Sequence, residues 1–317
     1  MFRFVISRVG RGIPVLLIAS VALFALIRAI PGDPALALGG PDASPETIAA
    51  LRETLALDAP LWQQYLTWMG QLVQFDLGTS LISKQPVIEL VGYRFSATLA
   101  LVLAALFIAI VVGVGLGVLA GLRRGTVLDN ILSALTATMM GIAPFWLGYL
   151  LILLFAVTLG WLPSGGYVPF AEDPGRALQT LALPALCLGI TQAGVLARFT
   201  RASVVEVREE LYVTTAASKG VDPSRVVFSH ILRNALIPIL TIFAIQIGNL
   251  LGGAVVIESM FSWPGVGRQL LEAVSARDYP VIQAILMLSL VVFVVLNILT
   301  DLLYGVFDPR LRSEVKA

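Results

Sequence analysis

The sequence predicts an all-α polytopic membrane protein with six transmembrane helices. Three observations carry this. The chain of 317 residues is 58% hydrophobic and only 13% charged, against ~25% charged in soluble domains. Its apolar residues run in continuous stretches of ~20, the length a helix needs to cross a ~30 Å hydrocarbon core. Its Lys and Arg are crowded into alternate loops. A closed β-barrel would instead need alternating segments of about ten residues.

Six stretches qualify, with edges set to within a few residues: 11–30, 98–121, 131–158, 179–197, 235–257 and 281–304. The first follows Arg3, Arg8 and Arg11, and Ala35-Leu36-Ala37 resembles a cleavage site. The run is too long for a signal peptide, and Arg28 and Pro31-Gly32-Asp33-Pro34 intervene, so a retained helix is expected. The fourth stretch is interrupted by Pro184, Thr191 and Gln192.

Orientation follows from charge, because Lys and Arg mark the cytoplasmic side. Fourteen of the 21 lie in the N-terminus, in loop 122–130, in loop 198–234 and in the tail. Both termini are therefore expected in the cytoplasm. The expected organisation is residues 1–30 as N-terminal end and first span, 31–94 as an external helical segment, 95–305 as the core, and 306–317 as a cytoplasmic tail. Within the external segment, Ser44 and Pro45 read as N-cap and N1 of a helix. A second run follows with Trp62, Tyr65, Trp68 and Met69. Aromatics there either anchor at the headgroup level or pack on the bundle.

Much chemistry is excluded. A P-loop needs Gly-Lys followed by Ser or Thr, but Lys84, Lys219 and Lys316 precede Gln85, Gly220 and Ala317. With one His (His230) and one Cys (Cys187), neither a two-His metal motif nor a Cys-based zinc site nor a disulfide can form. No catalytic residue and no metal site are expected, and an intramembrane enzyme finds no nucleophile–base pair. Net charge is +1, so no global nucleic-acid footprint exists. Ion-driven carriers place ionisable groups at mid-membrane. Here the span cores hold none, and Arg28, Glu258 and Asp301 sit at ends. Energy for any transport must enter from another protein, which disfavours the rival reading, a stand-alone carrier or channel.

Gly113, Gly117 and Gly121 form overlapping small-xxx-small spacings, and Gly248 with Gly252 another, which let helices approach closely. Gln192, Gln246, Asn249 and Asn297 either line a path or hydrogen-bond between helices.

Loop 198–234 reads as two helices. The first would run from about Ser203 to Lys219 and end at Gly220, with Lys219 complementing its dipole. Asp222 and Pro223 would then open a second as N-cap and N1. In that second helix Val227 pairs with Ile231, and Phe228 with Leu232, one turn apart. The tip, Thr214-Thr215-Ala216-Ala217-Ser218, is small enough to seat in another protein's groove. A self-contained hairpin joining two spans is the alternative, and a DNA-binding helix pair held beside lipid is a poor third.

This loop resembles the EAA region of ABC importer permeases. Where the general pattern is Glu-Ala-Ala, three residues and Gly, this chain has Thr214-Thr215-Ala216 and Gly220, then His230-Ile231-Leu232-Arg233. Thr215 through Gly220 and His230 through Pro238 are similar to the dipeptide, oligopeptide and nickel branch. So are LIRAIPGDP (26–34), LALDAPLWQQYLTWMGQLVQFDLGTSL, VIESMFSWPGVGRQLLEAVSARDYPVIQA and TDLLYGVFDPRLR, which place the chain with that branch's first permease. The resemblance implies the type I permease fold of these importers and a pathway built from two permease chains. It also implies two cytoplasmic ATPases that bind the ATP and Mg, an external substrate-binding protein, and residence in a bacterial or archaeal cytoplasmic membrane. The loop's first helix would be the coupling helix, with Tyr212, Thr215, Ala216, Ala217, Lys219 and Gly220 at the ATPase contact and Asp222 and Arg225 flanking it. IESMFSWPGVG would form a re-entrant turn near the pathway, making Glu258 a lining candidate beside Gln192, Gln246 and Asn249. Peptides, nickel complexes or glutathione are the implied solutes.

Overall fold

A computed structural model describes residues 2–29, 43–54 and 58–307. The cleavage-like Ala35-Leu36-Ala37 stretch, Pro31–Pro34 and the charged tail lie outside the described residues. Among the described residues the chain is helical, with no strand beyond one isolated bridge between Thr79 and Pro86. Helix α1 spans Phe2–Ala29, α2 Pro45–Thr54 and α3 Leu61–Val73. Helix α4 runs Val87–Leu122, with a π-helical stretch at Ala109–Val114. Next come α5 (Val127–Gly141), α6 (Pro144–Thr158), α7 (Pro174–Arg208) and α8 (Leu211–Ser218). Finally α9 spans Arg233–Met260, α10 Val266–Ala276 and α11 Tyr279–Phe307.

Four helices are long and apolar enough to cross a membrane, six crossings if each bent pair counts as one. Two expectations need correction. The third stretch is not one rod: α5 and α6 meet at 101°. Pro144 lacks an N–H and forces the residue before it out of the helical region, and Ala143 accordingly has ψ 132°. The fourth stretch is not interrupted, since α7 continues through Pro184, Thr191 and Gln192. It is the centre of the bundle, packed against α4, α5, α6 and α9. Two-thirds (67%) of its most apolar window is buried, against 22–33% for the other long spans. Its lower apolarity follows, because a helix surrounded by protein need not match lipid.

The close approach of α4 to α7 is set by glycine. A Cβ on Gly113 would lie 2.8 Å from the carbonyl oxygen of Ala193, one on Gly117 2.5 Å from that of Ala197, and one on Gly121 2.7 Å from Val204 Cγ1. The four-residue step of the glycines matches the step from Ala193 to Ala197, so backbone meets backbone along a shared ridge. Gly248 and Gly252 line no comparable contact: a Cβ on the first meets only Phe293 at 3.6 Å, and the second faces open space.

Where α4 turns into α5, a buried ion pair fixes the corner. Asp129 is 2% exposed and takes Arg201 of α7 in a two-point bond, Nε at 2.6 Å and the terminal nitrogen at 2.8 Å. It also accepts from the Gly125 amide at 3.0 Å and the Ser133 hydroxyl at 3.3 Å. A buried carboxylate needs this complete a set of donors.

The glycine ridge makes a differential prediction. Gly117→Ala should lower the thermal midpoint in detergent by several degrees, since relieving a 2.5 Å overlap with backbone requires the helices to part. Gly115→Ala, whose Cβ meets nothing within 4 Å, should leave the midpoint unchanged or slightly raised. Equal effects would show that helix propensity, not the α4–α7 approach, governs the ridge.

Candidate functional site

Two ends of the bundle carry its unusual chemistry, with a polar seam between them. At the first end the chain leaves α7, makes α8 and returns as α9. The expected single helix from Ser203 to Lys219 is broken at Glu209–Glu210. Arg208 donates to the Leu122 carbonyl at 2.8 Å and Glu209 pairs with Arg124, which hold the end of α7 against the α4–α5 corner. The break lets α8 turn and bury Val213, 4% exposed, in a cluster with Leu196, Val204, Val226, Ile231, Ala235 and Ile239.

Val213 is the only buried residue of α8. The remainder projects. The hydroxyls of Thr214 and Thr215 donate to the Leu211 carbonyl at 2.9 and 2.7 Å, and Ser218 donates to Thr214 at 2.9 Å. These polar atoms are satisfied within the helix, and Thr214, Thr215 and Ala217 present methyl groups on an outward surface shared with Leu211, Tyr212 and Ser218. Ala216 is half-buried; Thr215, Ala217, Lys219 and Gly220 are exposed.

The helix ends in a Schellman motif: Val221 N–H bonds the Ala216 carbonyl at 3.2 Å and Gly220 N–H that of Ala217 at 3.0 Å. This requires the positive φ of Gly220, +76°, which a residue with a Cβ resists. Asp222 then caps the returning segment, accepting from the amides of Ser224 at 2.8 Å and Arg225 at 3.3 Å. The Ser224 hydroxyl, ahead of those amides, holds the Asp222 carboxyl below its usual range. Arg225 is exposed beside this cap. Tyr212 is braced from behind, its hydroxyl accepting from Asn234 Nδ2 at 2.8 Å while that amide also reaches the His230 carbonyl at 2.8 Å.

The returning segment corrects a second expectation. Val226–Leu232 winds as a π-helix, so the buried pair is Val226 and Ile231, five apart, and not Val227 and Ile231, four apart. The wider winding turns Phe228 outward to 70% exposure, and Leu211 at the start of α8 is 82% exposed. Nothing in the residue spacing announces a π turn, which is why Phe228 reads as a packing residue in the sequence.

At the opposite end, α9 stops at Met260 and the chain folds back against it as α10. Glu258 is 0% exposed. One carboxylate oxygen accepts from the Thr98 hydroxyl at 2.6 Å, the other from the amides of Gly267 at 2.9 Å and Arg268 at 3.0 Å. Thr98 in turn accepts from the Val266 amide at 2.9 Å. Glu258 and Thr98 thus satisfy three first-turn N–H groups of α10. Trp263, 1% exposed, closes the turn by donating from its indole to the Ala97 carbonyl at 2.9 Å. The expectation that Glu258 lines a pathway gives way here. A fully buried carboxylate committed to a helix start has no surface to offer a solute. Gly265 has to be glycine, since a Cβ there would overlap the Glu258 carboxylate.

Between the ends, Gln192 of α7 and Gln246 and Asn249 of α9 come together. Gln246 Nε2 donates to Gln192 Oε1, and Asn249 Nδ2 donates to Gln246 Oε1 at 3.0 Å. Gln246 is buried, Gln192 half-buried and Asn249 exposed. The chain of amides joins two helices and still presents one end at the surface. Among the described residues no group of three or more metal-ligating side chains is present.

A bundle of long apolar helices able to cross a membrane, with a projecting helix at one end and a tight turn closed on a buried carboxylate at the other, is the architecture of a polytopic membrane protein. The chain belongs to the family of binding-protein-dependent transport system inner membrane components, which matches residues 113–313, with the family's N-terminal component matching 1–102. It is 41% identical to a di/tripeptide transport system permease of Pseudomonas aeruginosa over 99% of this chain and all of that one. It is 40% identical to a glutathione transport system permease of Escherichia coli K12, again over 99% and 100%. Its fold matches a chain of the inward-facing MetNI methionine ABC transporter at TM-score 0.59 and 19% identity, over 70% of this chain and 98% of that one. The chain is therefore a multi-pass permease subunit of an ABC importer in the inner membrane.

Glu258 supplies a graded test. Glu258→Ala leaves three buried donors without an acceptor and should cost about 3 kcal/mol or more, read as a large fall in detergent thermal midpoint. Glu258→Gln can keep its carbonyl on the Gly267 and Arg268 amides, so the loss should be nearer 1 kcal/mol. Equal losses would mean that shape and not acceptor count holds the turn.

Proposed function

We propose that this chain forms half of an inward pathway for short peptides or a related small solute such as glutathione or a nickel complex. The other half is a second, homologous permease chain. An extracytoplasmic binding protein delivers the solute, and two cytoplasmic ATPases supply the power and bind the ATP and Mg. The chain itself is non-catalytic, crosses six times and keeps both termini in the cytoplasm. Peptides and glutathione rest on what the two relatives above are named for, and a nickel complex on the family resemblance alone. The orientation rests on the crowding of Lys and Arg into the loops on the α8 side.

The observation that carries this reading is α8. One buried side chain, Val213, and the Tyr212–Asn234 hydrogen bond hold it to the bundle, its threonine and serine hydroxyls are internally satisfied, and its outer surface carries exposed Leu211, with Phe228 exposed further along the chain. Exposed apolar side chains beyond the membrane call for a protein cover. The absence of a P-loop in the sequence gives that cover a task. Tyr212, Thr215, Ala216, Ala217, Lys219 and Gly220 form the contact, with Asp222 and Arg225 shaping its edge. Thr214 offers only a hydroxyl bonded to its own helix, so affinity there comes from shape and not from a salt bridge. The Gln192–Gln246–Asn249 seam is the polar lining within the span region: its amides meet peptide bonds without choosing among side chains.

Two variants test the contact in the assembled transporter. Ala216→Arg puts bulk and charge on the seated face, and Gly220→Pro removes the φ of +76° that ends the helix. Each should cut transport by about tenfold or more, as removal of a central contact does, while ATP hydrolysis continues unlinked to uptake. Normal coupling in both would remove α8 as the docking helix. Solute uptake by this chain alone, driven by an ion gradient, would overturn the importer assignment of the pathway.

A further inference from the structure

We infer that α3 is a membrane-interface helix. It lies in the headgroup region with Trp62, Leu66 and Val73 in lipid, and it anchors the outer end of α1.

The thirteen residues of α3, LWQQYLTWMGQLV, contain no charge. Their sides divide three ways. Gln64, Tyr65, Trp68 and Leu72 are buried or half-buried and face the protein. Trp62, Leu66 and Val73 follow the i, i+4, i+11 spacing of a single helical stripe, and Met69, half-buried, sits at its edge toward the protein. Trp62 is 66% exposed, Leu66 59% and Val73 71%. The remaining arc, Gln63, Thr67 and Gln71, is polar, uncharged and exposed. A helix packed on protein along one side, with an apolar stripe and a polar arc on the other two, matches the boundary between hydrocarbon and water. By contrast α2 carries Glu46, Arg52 and Glu53, which suit water.

Its depth follows from what it touches. The Tyr65 ring lies 5.6 Å and the Trp68 ring 6.0 Å from Phe24 of α1. Tyr65 shares a hydrogen bond of 2.9 Å with Ser20, and the Arg28 guanidinium lies 5.5 Å over the Phe24 ring. These contacts occupy Ser20 to Arg28, the last ~12 Å of a helix rising 1.5 Å per residue. That is the end of the apolar window Gly10–Arg28, where aromatic rings and a cationic tip belong at headgroup level. The exposed apolar stripe of α3 therefore continues the lipid-facing side of α1, whose Leu17, Ile18, Val21 and Leu26 are exposed. Just past the helix, Phe75 holds a left-handed φ of +59° and is 78% exposed. That conformation is uncommon for a residue with a Cβ, and it places one more aromatic next to the stripe.

The test uses the assembled transporter in lipid nanodiscs, with a spin label on Leu66→Cys or Thr67→Cys in turn. The one native thiol, Cys187, is fully buried and bonded to the Pro144 carbonyl. At 66, collisions with oxygen, which concentrates in lipid, should exceed those with a water-soluble nickel chelate; at 67 the order should reverse. Chelate access at both sites would place α3 in water and overturn the inference. Low access to both probes at 66 would place a protein there, a second permease chain first among them, and would overturn it equally. Either outcome leaves the ATPase contact at α8 untouched.

Discussion

The fold depends on α4 and α7 touching backbone to backbone. Between helices in lipid there is no hydrophobic gain from association, so packing and close polar contacts must supply the energy. Gly113, Gly117 and Gly121 give α4 a flat side, and Ala193 and Ala197 answer it on α7. With α7 thus seated, it can take α5, α6 and α9 around it. That is why the least apolar long span is also the most buried one.

The two ends of the bundle solve one problem in different ways. Chain reversals at a membrane surface leave helix termini with unpaired N–H groups, and burying those groups is costly. At the α4–α5 corner, Asp129 carries the load, paired in two-point fashion with Arg201. At the α9–α10 turn, Glu258 and Thr98 do so by accepting from α10 amides directly. Both carboxylates are nearly or wholly inaccessible, and both stiffen the scaffold without offering chemistry to a solute. In the α9–α10 turn Gly265 packs against the Glu258 carboxylate, and the Trp263 indole ties the turn to Ala97.

The α8 end is built to be exposed. A Schellman ending and an Asp222 cap define the backbone, while the buried Val213 and the Asn234 brace on Tyr212 attach the helix. In the chain this helix lies between α7 and α9, the two helices that carry the amide seam. The π turn at Val226–Leu232 serves the same end by turning Phe228 outward.

Much of this was legible in the residues. The apolar lengths and loop charges announced a polytopic helical protein. The glycine spacing announced a close helix approach, and Gly220, Asp222 and Pro223 announced how α8 ends and the next segment begins. Each is a local rule, read from neighbours in the chain. What was not legible depended on partners far apart in sequence. The break at Glu209–Glu210 follows from Arg124 and Leu122 holding the end of α7. Glu258 looked like a lining residue because nothing nearby shows that Thr98, 160 positions away, and the α10 amides enclose it. Phe228 looked like core because helical spacing assumes ordinary winding. The sequence by itself determined the class of protein, where its apolar runs lie and the caps of the loop around α8, since these depend on composition and short-range sterics. Only the tertiary structure decided which helix sits at the centre, which carboxylates are buried and which side chains of α8 face outward, because those depend on what distant segments leave exposed.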